Sequence, residues 1–261
     1  MIGMCTTTLF ADRAGAGERE VKAVGEAVLA AGCTEVAAAA RHCEWLAAVG
    51  LRIRAVEGAR CWANHDDAVA AEEVARLVAV AAAHGAERLV AVTLEPEVVD
   101  LGRARARLAR LAEAAAGAGV QVCVEFLPWT GIPDLASAWS LVEPLDDSAG
   151  ILLDTWHWVR QPLGPAPEVL ATIPGRRIGF VQVCDAGPTP GPDPMLEAMT
   201  ARLLPGEGIV DFPAVMAQLH AIGATPFVAT EIYNPALVER LGVRAAAVAM
   251  VESAERALAA G

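Results

Sequence analysis

Eight short apolar runs alternate with longer helical patterns along the whole chain, a rhythm that few architectures accommodate. Strands are predicted over Ile2–Leu9, Glu35–Ala40, Arg52–Val56, Arg88–Leu94, Gln121–Phe126, Gly150–Asp154, Ile178–Cys184 and Phe227–Ile232. Helices are predicted near Glu18–Ala31, Glu44–Val49, Asp67–His84, Glu97–Ala118, Leu135–Glu143, Pro167–Ile173, Phe212–Ile222 and Pro235–Leu258. Most helix-to-strand joints carry a glycine where a C-cap is wanted, at Gly32, Gly50, Gly85, Gly119 and Gly223. Eight strands, each followed by a helix, predict an α/β chain folded as a single (β/α)8 barrel over residues 1–261. An open doubly wound sheet is the alternative. It would usually show a glycine-rich phosphate turn after the first strand, and Cys5-Thr6-Thr7-Thr8 offers none.

Bulk properties narrow the function classes. The chain has 261 residues, the size of one barrel domain of about 250 residues. Hydrophobic residues make up 55 %, but much of that is alanine, which favours helix and adds little core volume. No apolar run reaches the ~20 residues of a membrane span, and the N-terminus lacks a leader pattern, so a cytoplasmic enzyme is expected. A net charge of −12 argues against a nucleic-acid partner, which needs a basic stripe. The cluster Arg103, Arg105, Arg107 and Arg110 reads as the wet face of a helix. The six cysteines lack CxxC or CxH spacing, so neither a disulfide framework nor a zinc knuckle is indicated. Of the 20 basic residues only Lys22 is lysine, and it sits in the first predicted helix. Schiff-base chemistry needs a strand-end lysine, so that class is set aside.

Four predicted strands end on a side chain that can hold a metal. They are Val-Cys-Val-Glu125, Ile-Leu-Leu-Asp154, Phe-Val-Gln182 and Val-Ala-Thr-Glu231, on the fifth to eighth strands. Each has a plain structural use: Glu125 as a solvated loop carboxylate, Asp154 as a helix N-cap, Gln182 bonded to backbone, Glu231 paired with arginine. Their shared position at strand carboxyl ends, where barrels keep their chemistry, favours a common site. Three carboxylates and a carboxamide form an all-oxygen set suited to one divalent cation, Mg²⁺ or Mn²⁺ first, with Co²⁺ or Zn²⁺ open. Glu125 and Glu231 on different sides of the ion would suit proton removal at one carbon and return at another.

The stretches Leu-Asp154-Thr-Trp-His157, Val-Gln182-Val-Cys-Asp185-Ala, Arg202-Leu-Leu-Pro-Gly206-Glu-Gly208 and Thr-Glu231-Ile-Tyr resemble the xylose isomerase-like TIM barrel superfamily. That group comprises sugar phosphate isomerases and epimerases, inosose isomerases and dehydratases, hydroxypyruvate isomerase and 3-dehydroshikimate dehydratase. The motifs cover about residues 120 to 235; the first half agrees only in strand–helix rhythm. The resemblance implies that Glu125, Asp154, Gln182 and Glu231 bind one metal, with Glu125 and Glu231 as the acid/base pair. It further implies that His157 and Arg202 contact substrate oxygens. Asp185 is expected to orient a ligand or water. Epimerases and inosose isomerases usually carry histidine where this chain has Gln182; glutamine resembles the hydroxypyruvate isomerase and dehydroshikimate dehydratase branches. The same fold serves endonuclease IV, whose histidine-rich zinc cluster this chain lacks with its five histidines.

Three outcomes are expected of such a site. The first is an isomerase or epimerase acting on a small α-hydroxy carbonyl substrate through an enediolate. The second is a lyase that eliminates water, with His157 as general acid. The third, a binding protein without catalysis, is disfavoured by the intact ligand set. Trp62 and Trp129 are candidate walls of the pocket, as is Phe10; His42 and His65 suit helix-cap or surface roles better. No glycine-rich anion nest follows the seventh or eighth strand, so a phosphorylated substrate is not indicated. The expected partner is a small molecule, not a nucleic acid or a membrane. A homodimer is compatible with the scaffold, although no sequence patch marks one.

Overall fold

A computed structural model describes residues 2–10, 15–98 and 100–259. Eight parallel strands close on themselves in sequence order. They are β1 (Gly3–Cys5), β2 (Glu35–Ala39), β3 (Arg52–Ala59), β4 (Arg88–Ala91), β5 (Gln121–Glu125), β6 (Ala149–Asp154), β7 (Ile178–Val183) and β8 (Phe227–Thr230). β1 pairs with both β2 and β8, which removes the sheet edges. The expected barrel is thus the observed one.

The helices between the strands are α1 (Glu18–Ala30), α2 (Cys43–Ala48), α3 (Asp67–His84), α4 (Leu101–Ala116), α5 (Leu135–Val142), α6 (Thr155–Arg160), α7 (Pro167–Leu170), α8 (Pro194–Thr200), α9 (Phe212–Ala221), α10 (Pro235–Leu241) and α11 (Val243–Ala259). α3 runs over the expected residues and stops at Gly85, whose φ of +62° suits a glycine C-cap. The helix expected from Glu97 begins at Leu101, where the Asp100 carboxylate accepts from Arg103 N at 2.9 Å; Val99 lies outside the described residues. The single helix expected at the C-terminus is two, because Gly242 sits at φ +76° and ψ 155°, a conformation open to glycine almost alone. Sequence reading passed over α6 and α8, each started by an aspartate cap, Asp154 and Asp193.

Side chains alternate across each strand, so one set faces the barrel axis and the other the helices. The axial set packs as a small cluster of its own: Cys5, Ala37, Ala55, Val90, Cys123, Leu152, Phe180, Phe227 and Ala229, drawn from all eight strands. The outer set joins the helix faces in the large core. Small residues on β1 to β3 and aromatic ones on β7 and β8 fill the axis unevenly. Two residues beyond this axial cluster, at or near the carboxyl ends of the strands, the side chains face the barrel mouth.

Arg107 departs from its expected place on a wet helix face. It is 3 % exposed, donates Nε to Asp67 at 2.7 Å and Nη1 to Ala63 O at 3.3 Å, and so ties α4 to the start of α3. The periodicity of the arginine cluster could not distinguish a buried cross-helix partner from a solvated one. No helix among the described residues is long and apolar enough to cross a membrane.

Candidate metal centre

Glu125, Asp154, Gln182 and Glu231 stand two residues beyond Cys123, Leu152, Phe180 and Ala229 of the axial cluster. The two-residue period therefore turns all four toward the mouth. Asp154 and Gln182 are register partners across β6 and β7, and Glu231 N donates to Val183 O at 3.1 Å just past β8. Asp154, Gln182 and Glu231 are buried, while Glu125 is half-buried.

The contacts divide these residues into two linked groups. Ligand atoms of Glu125, Asp154 and His157 lie within 4.8 Å of one another, as do those of Cys5, Glu57 and Glu231. Arg202 joins the groups: its Nη1 lies 2.6 Å from Asp154 Oδ2 and 3.0 Å from Glu231 Oε2. Gln182 Nε2 donates to Glu231 Oε1 at 2.8 Å and to Cys5 Sγ at 3.4 Å. Asp154 does cap α6, since its Oδ1 accepts from Trp156 N at 2.7 Å and His157 N at 3.0 Å. This cap also sets the position of His157, whose Nε2 stands 3.4 Å from Glu125 Oε1.

One atom speaks directly to metal binding. Gln182 Oε1 is buried and has no hydrogen-bond partner, whereas its amide nitrogen is fully engaged. A buried, unpaired acceptor costs free energy unless something supplies positive charge or a donor. Beside it stand carboxylates whose oxygens retain free lone pairs. The donor set fits a hard divalent cation; His157 nearby adds a nitrogen donor that a borderline metal would also accept.

Electrostatics separates the carboxylates. Burial pushes the Glu231 carboxyl well above its usual range; Arg202 opposes that, and the charges of Glu125, Asp154 and Glu57 add to it. Burial acts the same way on Asp154 and is the largest single influence, but the charges of Arg202 and His157 and the hydrogen bonds from both residues together outweigh it and leave the group below its usual range. Burial works to lower the Arg202 guanidinium, and Asp154 and the other neighbouring groups more than reverse this. Carboxyls pushed in opposite directions a few ångströms apart are the raw material of an acid and a base.

Arg202 reaches the centre because its chain segment is pinned. Asp185 N donates to Leu203 O and Leu203 N to Asp185 O, both at 2.9 Å. The Asp185 carboxylate accepts from Ala186, Gly206, Gly208 and Val210 backbone N–H groups at 2.8–2.9 Å. A Cβ on Gly208 would lie 2.1 Å from Ala186 O, so only glycine lets this loop close on Asp185. Asp185 therefore organises the loop that carries Arg202. Arg202 Nε donates to Ala198 O at 2.8 Å, and its Cζ lies 5.2 Å from the Tyr233 ring centroid. Nη2 stands 3.4 Å from His157 Nε2 and has no carboxylate contact.

The two tryptophans occupy different settings. Trp129 meets His157 edge-on, with centroids 5.5 Å apart, and its Nε1 is buried without a partner. Trp62 is 1 % exposed, and its Nε1 donates to Val92 O at 3.2 Å. Phe10 and His42 pack on each other at 4.9 Å in the interior. His65 pairs with Glu95 at 3.2 Å and is partly exposed.

Glu57 is the residue that sequence reading missed. It stands two residues beyond Ala55 of the axial cluster, the same offset that places Glu125 and Glu231. The strand expected to end at Val56 continues to Ala59 through a register shift at Gly58, whose φ is +110°. Such bulges re-aim side chains near sites. Burial raises the Glu57 carboxyl from 4.5 to about 7, with the Glu125 charge adding to the effect and hydrogen bonds from Cys5 and Thr7 and the Arg60 charge opposing it. The spacing Ala55-x-Glu57, parallel to Ala229-x-Glu231, was the available signal.

Comparison with known proteins now bears on this geometry. The family model of the xylose isomerase-like TIM barrel matches residues 18–255. The 3-dehydroshikimate dehydratase of Pseudomonas aeruginosa is 33 % identical over 129 residues, covering 49 % of this chain and 20 % of that protein. The inosose isomerase of Bacillus subtilis is 26 % identical over 133 residues, covering 49 % of this chain and 45 % of that protein. In both cases the match spans less than half of the relative's length. Among solved structures, the IolI protein with a bound zinc atom superposes with a TM-score of 0.78 at 18 % identity, over 92 % of this chain and 93 % of that one. That likeness shows the shared fold.

Proposed function

The chain belongs to the xylose isomerase-like TIM barrel family, and on that premise we propose a divalent-metal-dependent isomerase or epimerase of a small, sugar-like α-hydroxy carbonyl compound. The observation that carries the reading is the buried, unpaired Gln182 Oε1 among the carboxylates of Asp154, Glu231 and Glu125. Glu125, Asp154, Gln182 and Glu231 would hold the cation, which when bound polarises a substrate carbonyl and its neighbouring hydroxyl.

The chain's own groups divide the remaining work. Glu231 takes the proton from the carbon next to the carbonyl, giving an enediolate, and Glu125 on the other side returns a proton. His157, held beside Glu125, and Arg202 Nη2 bind substrate oxygens. Trp129 walls the pocket against His157 and keeps water from the carbanion-like carbon.

A second reading is water elimination after the same proton removal, with His157 as general acid for the departing hydroxyl. Three observations favour it. Gln182 stands where epimerases and inosose isomerases usually carry histidine and resembles the hydroxypyruvate isomerase and dehydroshikimate dehydratase branches, and the dehydratase relative is 33 % identical over 129 residues. Arg41, Arg60 and Arg76 also line the cavity that opens beside Glu57, offering counter-charge to a substrate carboxylate.

Proton NMR in D₂O of the Mg²⁺-loaded protein with ketoses, inososes, hydroxypyruvate and 3-dehydroshikimate tests both readings. Deuterium at an α-carbon together with a new isomer supports isomerisation. New vinyl or aromatic signals support elimination. No exchange with any of these compounds counts against both.

A further inference from the structure

The mechanism above leaves one half-buried carboxylate of the barrel mouth without a task. Glu57 belongs with Cys5 and Glu231 to one group of ligand atoms, separate from the group of Glu125, Asp154 and His157. Its Oε2 accepts from Thr7 Oγ1 at 3.2 Å, and Thr7 Oγ1 in turn shares a hydrogen bond with Tyr233 OH at 2.9 Å. Glu57 Oε1 is buried and has no hydrogen-bond partner. Its register neighbours, Ala39 on β2 and Val90 on β4, have no side-chain donor to give it. The same residue lines a cavity of about 510 Å³ with Thr7, Tyr233, Arg60, Arg76 and Met199.

These facts restrict what could satisfy that oxygen. Its neighbours on β2 and β4 are apolar, and the Cys5 thiol beside Glu57 is only a weak donor, so a strong donor is left to come from the cavity. A cationic ligand would meet the guanidinium groups of Arg60 and Arg76 on the way in. An anionic group can pair with those guanidinium groups, but it has no proton to give Glu57 and is repelled at that oxygen by Glu57 and by Glu231 beside it. A neutral hydroxyl meets neither objection, and a hydroxyl donating to a carboxylate makes one of the stronger neutral-to-charged hydrogen bonds.

We propose that Glu57, braced by Thr7 and Tyr233, is a substrate-positioning residue that accepts a hydrogen bond from a hydroxyl of the substrate remote from the reacting carbons. This rests on the polyhydroxylated substrate of the proposed function and adds the residue that selects its orientation. A substrate anchored at the metal centre at one end and at Glu57 at the other is held across Glu231. A carbon next to the carbonyl is thereby presented to the base. The two-residue offset from Ala55 gives this placement its structural origin, and the bulge at Gly58 follows directly after it.

The test measures binding apart from turnover. Xylitol and myo-inositol are titrated onto Mg²⁺-loaded wild type and Glu57→Gln by saturation-transfer NMR, while Mn²⁺ affinity of both proteins is measured by EPR. We expect wild type to bind at least one polyol and Glu57→Gln to bind it at least ~10-fold more weakly. Mn²⁺ affinity should agree within about twofold, since Glu57 is not among the proposed ligands. Equal polyol binding by both proteins overturns the proposal, and so does wild type that binds neither polyol. A parallel loss of Mn²⁺ affinity in Glu57→Gln also overturns it, by making Glu57 a ligand. Failure of wild type to bind Mn²⁺ would instead sink the metal reading and leave the polyol comparison readable. If Glu57→Gln does not fold, Thr7→Val serves in its place, with an expected weakening of roughly 2- to 10-fold and equal affinity overturning the proposal.

Discussion

The two halves of the barrel mouth are built on opposite principles. From β6 to β8 the strand-end side chains are tied together through Arg202: Asp154, Gln182, Glu231 and Arg202 are buried and linked by contacts of 2.6–3.0 Å, which leave Gln182 Oε1 unpaired. From β1 to β4 the corresponding positions are largely small or apolar, and Glu57 faces a cavity whose arginines, Arg41, Arg60 and Arg76, stand around its lining. A closed ionic cluster is suited to holding a fixed charge in place. An open cavity with one unsatisfied acceptor is suited to receiving a variable ligand. The comparison teaches that one mouth separates chemistry from recognition by where it places its counter-charges.

The largest effect should come from breaking the knot. Arg202→Met leaves Asp154 and Glu231 buried without their common partner, and losing one member of a buried pair costs about 3–5 kcal/mol. Urea unfolding measures this; a loss under about 1 kcal/mol would mean that the cluster relaxes into water. Glu231→Gln comes next. It should keep the wild-type circular dichroism spectrum while losing at least ~10²-fold in rate on whichever compound proves to be the substrate. Near-wild-type turnover would remove Glu231 as the base.

Smaller effects belong to the open half. Gly58→Ala forces a side chain into φ +110°, a strain of about 1–3 kcal/mol by thermal or urea unfolding. Stability unchanged by that substitution would show that the bulge is not required for β3. The smallest effect is a pH dependence. Glu57 is raised from 4.5 to about 7 in the folded state, so the folded protein holds a proton that the unfolded chain releases. Its contribution is therefore present below about pH 4.5 and lost as pH rises through about 7. Asp154, held below its usual range, has the opposite sign, and its contribution is lost on acidification. The difference in unfolding midpoint between wild type and Glu57→Gln isolates the first effect, and should move in favour of the variant as pH rises. A difference that stays flat with pH would place Glu57 among the ordinary exposed carboxyls.

The site was partly legible in the chain. Period-two alternation ending on Glu125, Asp154, Gln182 and Glu231 is a local signal, so the four could be placed at one mouth without any long-range knowledge. Asp154 as a helix cap was equally local, and it proved to coexist with its contact to Arg202. The arginine cluster on α4 was misjudged at Arg107, because a helical period says which face a residue occupies and not what packs against it. Glu57 escaped because a positive-φ glycine prolongs a strand that apolar patterning ends at Val56.

By itself, then, the sequence determined the eight-fold alternation, the barrel and the residues at the strand ends, since each follows from periodicities a few residues long. Only the tertiary structure decided that Arg202 would bridge Asp154 and Glu231. It likewise decided that Asp185 would fold a glycine loop behind that arginine, and that Glu57 would enter the mouth with one oxygen unpaired. Those outcomes depend on which strands become neighbours when the barrel closes and on where bulges shift the register. Partners 29 to 48 residues apart are chosen by that closure, and no local pattern encodes it.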